Sequence, residues 1–558
     1  MNTNNNHHPT RYKGEFTDAV IRLTGGRYRL SLALLLMAIG LISRCHRIST
    51  PPMDFHPTRQ YIGASVARSY YFNMDASIPE WRRNIAQIGK DRQELLEPQI
   101  LPALAAVSYR IVGGERLWIP RFYSILFWLG TGGVLLLIAR DIGLNPNERL
   151  WALAVHLFTP FAILNSRIFQ PDPLMLLLMF LSVWSALRYD RNPGLKPLLR
   201  TSALAAATLF VKPVCVFLLF AAFAALLLHR IGLRKAATNP HLYVFTALML
   251  TPAVAYYVIQ LKSGGFIGQQ TQGSFLPGLW LTGKYWFGWL KMIGRNIGLQ
   301  GLAAAAIGFT LLPNPRARWF LGGLWFGYLC YGLFFNYHIH THDYYSMMLI
   351  PMAALSAAPF LARIPAWLAG QWRMKRGRLL GAATGAAVVA AVSGALLIKM
   401  AAAGRLTPTH KSLIKTAGSL AGADMKLLLF LGRGIDEAAE TRAYEEIGEL
   451  AGHTDKALYL THDHGKSLIY HAEIAGEAWP GQTDFAKRKL EGKPPLNLPA
   501  LLAKWINQDG MQFFVATDLD EFRKQPELIE ILDLNHALIS SKERYRVYQL
   551  GSAAGTGH

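Results

Sequence analysis

The chain has 558 residues, 52% of them hydrophobic and only 16% charged, with a mean hydropathy of +0.20. Soluble domains carry about a quarter of charged residues, so a purely soluble enzyme is excluded. The net charge of +22 is unevenly placed: residues 1–400 carry 39 basic and 14 acidic side chains, net +25, and residues 401–558 carry 18 and 21, net −3. A basic segment rich in apolar runs points to loops facing anionic lipid, not to a nucleic-acid groove. Three cysteines (Cys45, Cys215, Cys330) make no disulfide framework.

The N-terminus is polar and basic through residue 29. The run Leu30–Ile42 has a short apolar core behind positive charge, but no small-residue cleavage site follows, so it is expected to be an uncleaved first span. A polar stretch over 43–97 follows. The apolar segment 98–112 contains Pro98, Pro102 and Arg110, and is expected to lie at the surface of the same loop. Ten further candidate spans are 121–139, 150–165, 174–188, 200–211, 213–229, 242–260, 297–313, 318–336, 344–361 and 379–399. Several fall short of the roughly 20 residues of a crossing helix and need tilt or burial among neighbours.

Placing the N-terminus in the cytoplasm puts loops 140–149, 189–199, 230–241, 314–317 and 362–378 inside, where arginine and lysine are dense. Loops 166–173, 261–296 and 337–343 fall outside and are poorer in positive charge, as the positive-inside rule requires. Eleven spans put residues 400–558 outside, the periplasm in a bacterium. The expected organisation is a cytoplasmic N-terminus (1–29), a membrane module (30–400) with a large first periplasmic loop (43–120), and a periplasmic α/β domain (401–558). In that last domain 456–461, 511–517 and 545–550 are predicted strands, and 435–451 and 499–507 predicted amphipathic helices.

The polar residues that could do chemistry gather on the outer face. They are the Asp54–Gln60 segment with His56 and Arg59, then Gln170 and Asp172, then His338, His340, His342, Asp343, Tyr344 and Tyr345, with Lys212 at the outer end of a span. Asp54 has the chemistry of a general base toward an acceptor hydroxyl; a loop aspartate capping the next helix is the plain alternative. Asp172 lies between two prolines at the start of a span, a natural N-cap that does not exclude catalysis. Arg59 and Lys212 could pair with a phosphate, although a lysine at a span end also snorkels. In an extended segment His338, His340 and His342 would share one face and could ligate a metal with Asp343, but they match no zinc spacing, so no metal is expected to be required. Asp518-Leu519-Asp520 and His462-Asp463-His464 are expected to be a helix cap and a turn. No Walker A, zincin or nucleophile-elbow motif is present.

Taken together, Asp54 to Gln60 with Ala67-Arg68, Asn165-Ser166-Arg167 with Gln170-Pro171-Asp172, Lys212-Pro213, and His342 to Tyr345 opening a span resemble the GT-C membrane glycosyltransferases. The likeness is to the branch of bacterial protein O-mannosyltransferases and lipid A aminoarabinose transferases, over about residues 25–400. It implies a polytopic α-helical membrane protein with a C-terminal periplasmic α/β domain, in a bacterial inner membrane. It also implies inverting transfer of a sugar from a polyprenyl-phosphate carrier to a hydroxyl of a glycan, lipid or protein. Asp54 would be the base, Asp172 a second carboxylate, and Arg59, Lys212 and Lys284 the phosphate ligands. Mannosyltransferases of this group often have an Asp-Glu pair in the first loop, whereas Phe55 follows Asp54 here. A lipid-linked glycan transporter is the competing class, although ionisable residues fall at span ends and no inverted repeat is visible. A glycan ligase or polymerase is the alternative within the class.

Overall fold

The computed structural model describes residues 21–93, 95–262, 275–367, 416, 418–422, 437–490 and 494–550. Helix α1 (Arg27–Cys45) leads into a loop layer of α2 (Pro57–Asn73), α3 (Glu80–Asp91) and α4 (Ile100–Val112). The bundle continues with α5 (Trp118–Asp141), α6 (Pro146–Phe158), α7 (Pro160–Asn165), α8 (Asp172–Arg191), α9 (Leu195–Val211), α10 (Val216–Ile231) and α11 (Pro240–Lys262). It then runs through α12 (Gly283–Thr310), α13 (Pro315–Phe334), α14 (Asn336–Thr341) and α15 (Leu349–Leu361). Six described helices are long and apolar enough to cross a membrane: Arg27–Cys45, Trp118–Asp141, Asp172–Arg191, Pro213–Ile231, Pro240–Lys262 and Leu349–Trp367.

Three expected spans differ in detail, each for a local reason. The run 150–165 is broken at Thr159, because Pro160 disfavours the helical region for the residue before it. The run 297–313 belongs to a longer helix that starts at Gly283 and kinks at Gly298, whose φ of 70° suits glycine. The run 344–361 opens as a 3-10 turn, Asp343–Ser346, before α15 begins. The expected span 379–399 lies outside the described residues. The segment 100–112 is a helix of the first-loop layer that buries Leu101, Ala105 and Tyr109 and exposes Leu104, Val107 and Ile111.

Close packing holds the bundle. A Cβ on Gly327 of α13 would stand 2.6 Å from Leu218 Cα of α10, so only glycine lets these backbones approach so closely. At one end the basic loops converge on two acids. Asp141 takes Arg191 at 3.3 Å and Arg140 at 3.1 Å, and Asp190 takes Arg316 at 2.7 Å. The candidate site is at the opposite ends of the same helices.

Helix α16 (Glu437–Leu450) opens the C-terminal region, followed by β1 (Ala457–Leu460), α17 (Lys466–Ala472), β2 (Gly476–Ala478), α18 (Gln482–Leu490), α19 (Leu498–Asn507), β3 (Phe513–Ala516), α20 (Leu519–Arg523), α21 (Pro526–Asn535), β4 (Ala537–Lys542) and β5 (Tyr545–Gln549). The sheet order is β2-β1-β3-β5-β4, with β2, β1 and β3 parallel and β5 antiparallel to both β3 and β4. Short strands buried on both faces, such as Ala457–Leu460, suit the parallel core of an α/β sheet. The domain packs on α2 and α3 of the first loop: Tyr61 Oη on α2 lies 2.7 Å from His471 Nε2, Arg68 on α2 donates to the Tyr470 carbonyl, and Arg82 on α3 pairs with Glu473.

Candidate active site

The first loop is hung on buried guanidinium groups. Arg121, fully buried at the start of α5, donates to the carbonyls of Ile48 (2.9 Å) and Thr50 (2.8 Å). Arg167 donates to the carbonyl of Arg47 at 3.1 Å, and Arg44 donates to Ser166 Oγ at 2.6 Å. Free carbonyls of an irregular loop are costly beside a membrane unless donors reach them, and arginine supplies several in a rigid fork. The loop so fixed presents Asp54. Its carboxylate accepts the Phe55 N–H at 2.9 Å and faces Arg121 Nη2 at 3.5 Å. Helix α2 instead begins after His56, in the left-handed conformation with φ 48°, so Asp54 is not its cap. Glu437 of the C-terminal domain adds a carboxylate to the same cluster through Arg47 at 3.1 Å. Burial pushes the Glu437 carboxyl up, with Arg47 opposing.

Gln60 is fully buried and staples two loops together. Its amide nitrogen donates to the Phe55 carbonyl at 2.8 Å, and its oxygen accepts the Phe169 N–H at 3.1 Å. Gln170, also buried, donates to Asn165 Oδ1 at 3.3 Å.

A second cluster surrounds Lys212. This residue ends α9 in an extended conformation before Pro213, as a residue preceding proline prefers. Its ammonium lies 2.9 and 3.1 Å from the two oxygens of Asp172, 3.9 Å from Glu97, and about 5 Å from the rings of Tyr344 and Tyr345. Lys212 is therefore not snorkelling, since only 3% of it is exposed. Nor does Asp172 cap its helix: α8 has no side-chain cap, and the carboxylate is engaged by Lys212. Arg59 completes the cluster by donating twice to Tyr344 Oη, at 3.2 and 2.9 Å.

His56 and Asp343 connect the two clusters. His56 Nε2 stands 2.9 Å from Asp343 Oδ1, and Arg295 Nη1 stands 2.7 Å from Oδ2. Burial opposes ionisation of Asp343, but the His56 hydrogen bond and Arg295 outweigh it and hold the carboxyl down to about 2. Asn296 donates to the Asp343 carbonyl at 2.9 Å.

The three histidines do not share a face. Residues 336–341 are helical, so His338 and His342 fall on one side, with rings 5.8 Å apart, while His340 turns away to the Asn336 carbonyl at 2.7 Å. His338 stacks on Tyr345 at 5.0 Å. Burial first, then His342 and Lys212, pushes His338 down to about 4; burial, with Arg59, also lowers His342. Among the described residues no three histidine, cysteine or acidic side chains converge as metal ligands. Lys284 lies apart from Arg59 and Lys212, in a different cavity with Lys291. In the C-terminal domain Asp518 caps α20 by accepting the Glu521 N–H at 2.9 Å, and His462–Gly465 forms a turn.

Sequence reasoning named Arg167 only as part of the Asn165-Ser166-Arg167 segment and passed over Glu97, Arg121, Arg295 and Glu437. Three of these four, all but Glu437, carried one available signal: a charged side chain next to an apolar run on the face expected to be poor in charge. Glu437, in the soluble-composition region, carried none.

The family model described as dolichyl-phosphate-mannose-protein mannosyltransferase matches residues 97–257, less than a third of the chain. No curated protein matches the chain in sequence. Two solved structures of ArnT from Cupriavidus metallidurans match over nearly the whole length. The one bound to undecaprenyl phosphate has a TM-score of 0.53 at 14% identity, covering 94% of this chain and 99% of that one. The apo state has a TM-score of 0.54 at 14% identity, covering 94% and 98%.

The chain has the GT-C membrane fold. The family match spans Glu97, Arg121, Arg167, Asp172 and Lys212 but neither Asp54 nor Tyr344. The helical membrane module and the small mixed sheet agree with the fold class expected from the sequence.

Proposed function

We propose that the protein transfers a sugar from a polyprenyl-phosphate carrier to an acceptor hydroxyl at the outer face of a bacterial inner membrane. The observation that carries this reading is the pairing of an accessible carboxylate with a separate cationic and aromatic cluster. Asp54 is 17% exposed on its loop, while Arg59, Lys212, Tyr344 and Tyr345 gather beyond the His56–Asp343 link. The ArnT neighbour bound to undecaprenyl phosphate supports the donor class.

The chemistry is one in-line displacement. Asp54 takes the proton of the acceptor hydroxyl as its oxygen bonds to the anomeric carbon. The bond from that carbon to the phosphate oxygen breaks, and the electron pair leaves with the phosphate, so the anomeric configuration inverts. Arg59 and Lys212 stabilise the departing charge, acting where it develops. Asp172 and Glu97 hold Lys212 in place as counter-ions that the phosphate partly replaces. Neutral His338 and His342 with Tyr344 and Tyr345 form the wall against the sugar. The basic end of the bundle, at Asp141 and Asp190, faces the cytoplasm on this reading, and the C-terminal sheet domain lies in the periplasm.

The test offers purified protein in nanodiscs a panel of polyprenyl-phosphate sugars with membrane extract as acceptor, read by mass spectrometry. A mass gain of one sugar, absent in Asp54→Asn, is expected. No gain with any donor, in folded protein that binds none of them, would end the transferase reading.

A further inference from the structure

A second cationic site lies beside the one described. Lys284, Lys291 and Arg295 are spaced by seven and four residues on α12. At 100° per residue they form one stripe, rising about 16 Å from Lys284 to Arg295. Arg295 is committed to Asp343. No ion pair to Lys284 or Lys291 occurs among the described residues. Both lysines line a cavity of about 520 Å³ between α12 and α14, with Phe287, Tyr337, His340 and Thr341. The two helices approach closely because residue 288 is glycine: a Cβ there would stand 3.0 Å from the His340 carbonyl oxygen.

Leu276, Leu279 and Phe287 give the cavity an apolar edge, and the chain segment beside them is aromatic and apolar. Trp280, Leu281, Trp286 and Phe287 are all exposed, and the indoles of Trp280 and Trp286 donate to the carbonyls of Leu333 and Trp280. Exposed tryptophans with satisfied N–H groups mark the level of lipid headgroups. The cavity's α14 wall runs on through Thr341 and His342 into Asp343 and Tyr344, the residues that meet Arg295 and Arg59. Lys284 is thus close in the chain to the exposed tryptophans, and Lys291 stands one helical turn from Arg295 of the site.

We propose that Lys284 and Lys291 form a waiting site for the phosphate of a polyprenyl-phosphate lipid passing between the bilayer and the Arg59–Lys212 cluster. The inference rests on the donor reading above. The apolar edge takes the first prenyl units and the lysines take the phosphate, as juxtamembrane lysines hold anionic headgroups. Lys284 then serves the donor phosphate before or after transfer, not during it.

The test measures binding of undecaprenyl phosphate to the full chain in phosphatidylcholine nanodiscs. In K284Q/K291Q the affinity should fall by about tenfold or more, while K284R/K291R binds as the parent protein does. Transfer at saturating donor should keep its kcat in the glutamine variant, with the loss confined to KM. Equal affinity of K284Q/K291Q and parent would overturn the inference and leave the donor reading standing. So would displacement of the lipid by phosphatidylglycerol at equal concentration, which would make the stripe a general anionic-lipid surface. Parent protein that binds no undecaprenyl phosphate would remove the donor reading itself.

Discussion

Lys212 and Asp172 form a buried ion pair, with the ammonium 2.9 and 3.1 Å from the two carboxylate oxygens and each residue only 3% exposed. Such a pair is sustained by its partners: removing one leaves an uncompensated buried charge at a cost of about 3–5 kcal/mol, whereas removing both can be nearly neutral. Lys212→Met and Asp172→Asn should each lower the unfolding temperature, and the double variant should recover most of the loss. Donor binding should stay weak in every variant lacking Lys212. Full donor affinity in Lys212→Met would take this lysine out of phosphate recognition.

Asp54 is expected to matter for turnover and not for binding. Asp54→Asn keeps the shape and the contact to the Phe55 N–H but cannot accept a proton. Transfer should fall by about 10²–10⁴, the usual contribution of a general base, with donor affinity unchanged. Near-normal turnover would place the base elsewhere.

Chelators should leave transfer within about twofold, because His340 turns away from His338 and His342 on α14. A strong loss restored only by zinc would show that these side chains rearrange around a metal when substrate is bound.

The docking of the C-terminal domain on α2 carries two opposed pH responses. His471 Nε2 meets Tyr61 Oη at 2.7 Å, and burial, with Arg68 nearby, pushes this imidazole down to about 3. An undocked histidine titrates near about 6.5. Its contribution is therefore full above about pH 6.5 and is lost as pH falls toward 3. Asp463 behaves in the opposite sense. Burial raises it to about 6 against hydrogen bonds from Ser467, with Glu440 adding to the rise, so its penalty is present above pH 6 and disappears toward pH 4. The two offset each other across that window, where Tyr61, Tyr444 and Tyr470 stay neutral and Arg68 stays charged. Asp463→Asn removes one arm, and acidification from pH 7 to 5 should then loosen docking by up to about 1.4 kcal/mol per pH unit. Hydrogen exchange of residues 57–73 at the two pH values checks it. Equal protection at both would show that His471 does not report on docking.

Composition and periodicity settled much of this protein. Apolar runs become helices in lipid because each backbone group must find its partner within the segment, so the bundle was legible in runs such as 121–139 and 174–188. Charge placement separated a basic end from the end holding Asp54, Lys212 and Asp343, because lysine and arginine are retained on one side of a membrane. The strands at 457–460, 513–516 and 545–549 were legible from short β-rich runs between turns. What the sequence could not decide is pairing across distance. Nothing local joins Lys212 to Asp172, His56 to Asp343, Arg121 to Asp54, or Arg47 to Glu437, which is 390 residues away. Nor does residue spacing alone decide whether 338–342 is extended, with its histidines on one face, or helical, with them split. Those outcomes depend on which helix ends packing brings together, since an ion pair is set by the final few ångströms between side chains and not by their order along the chain.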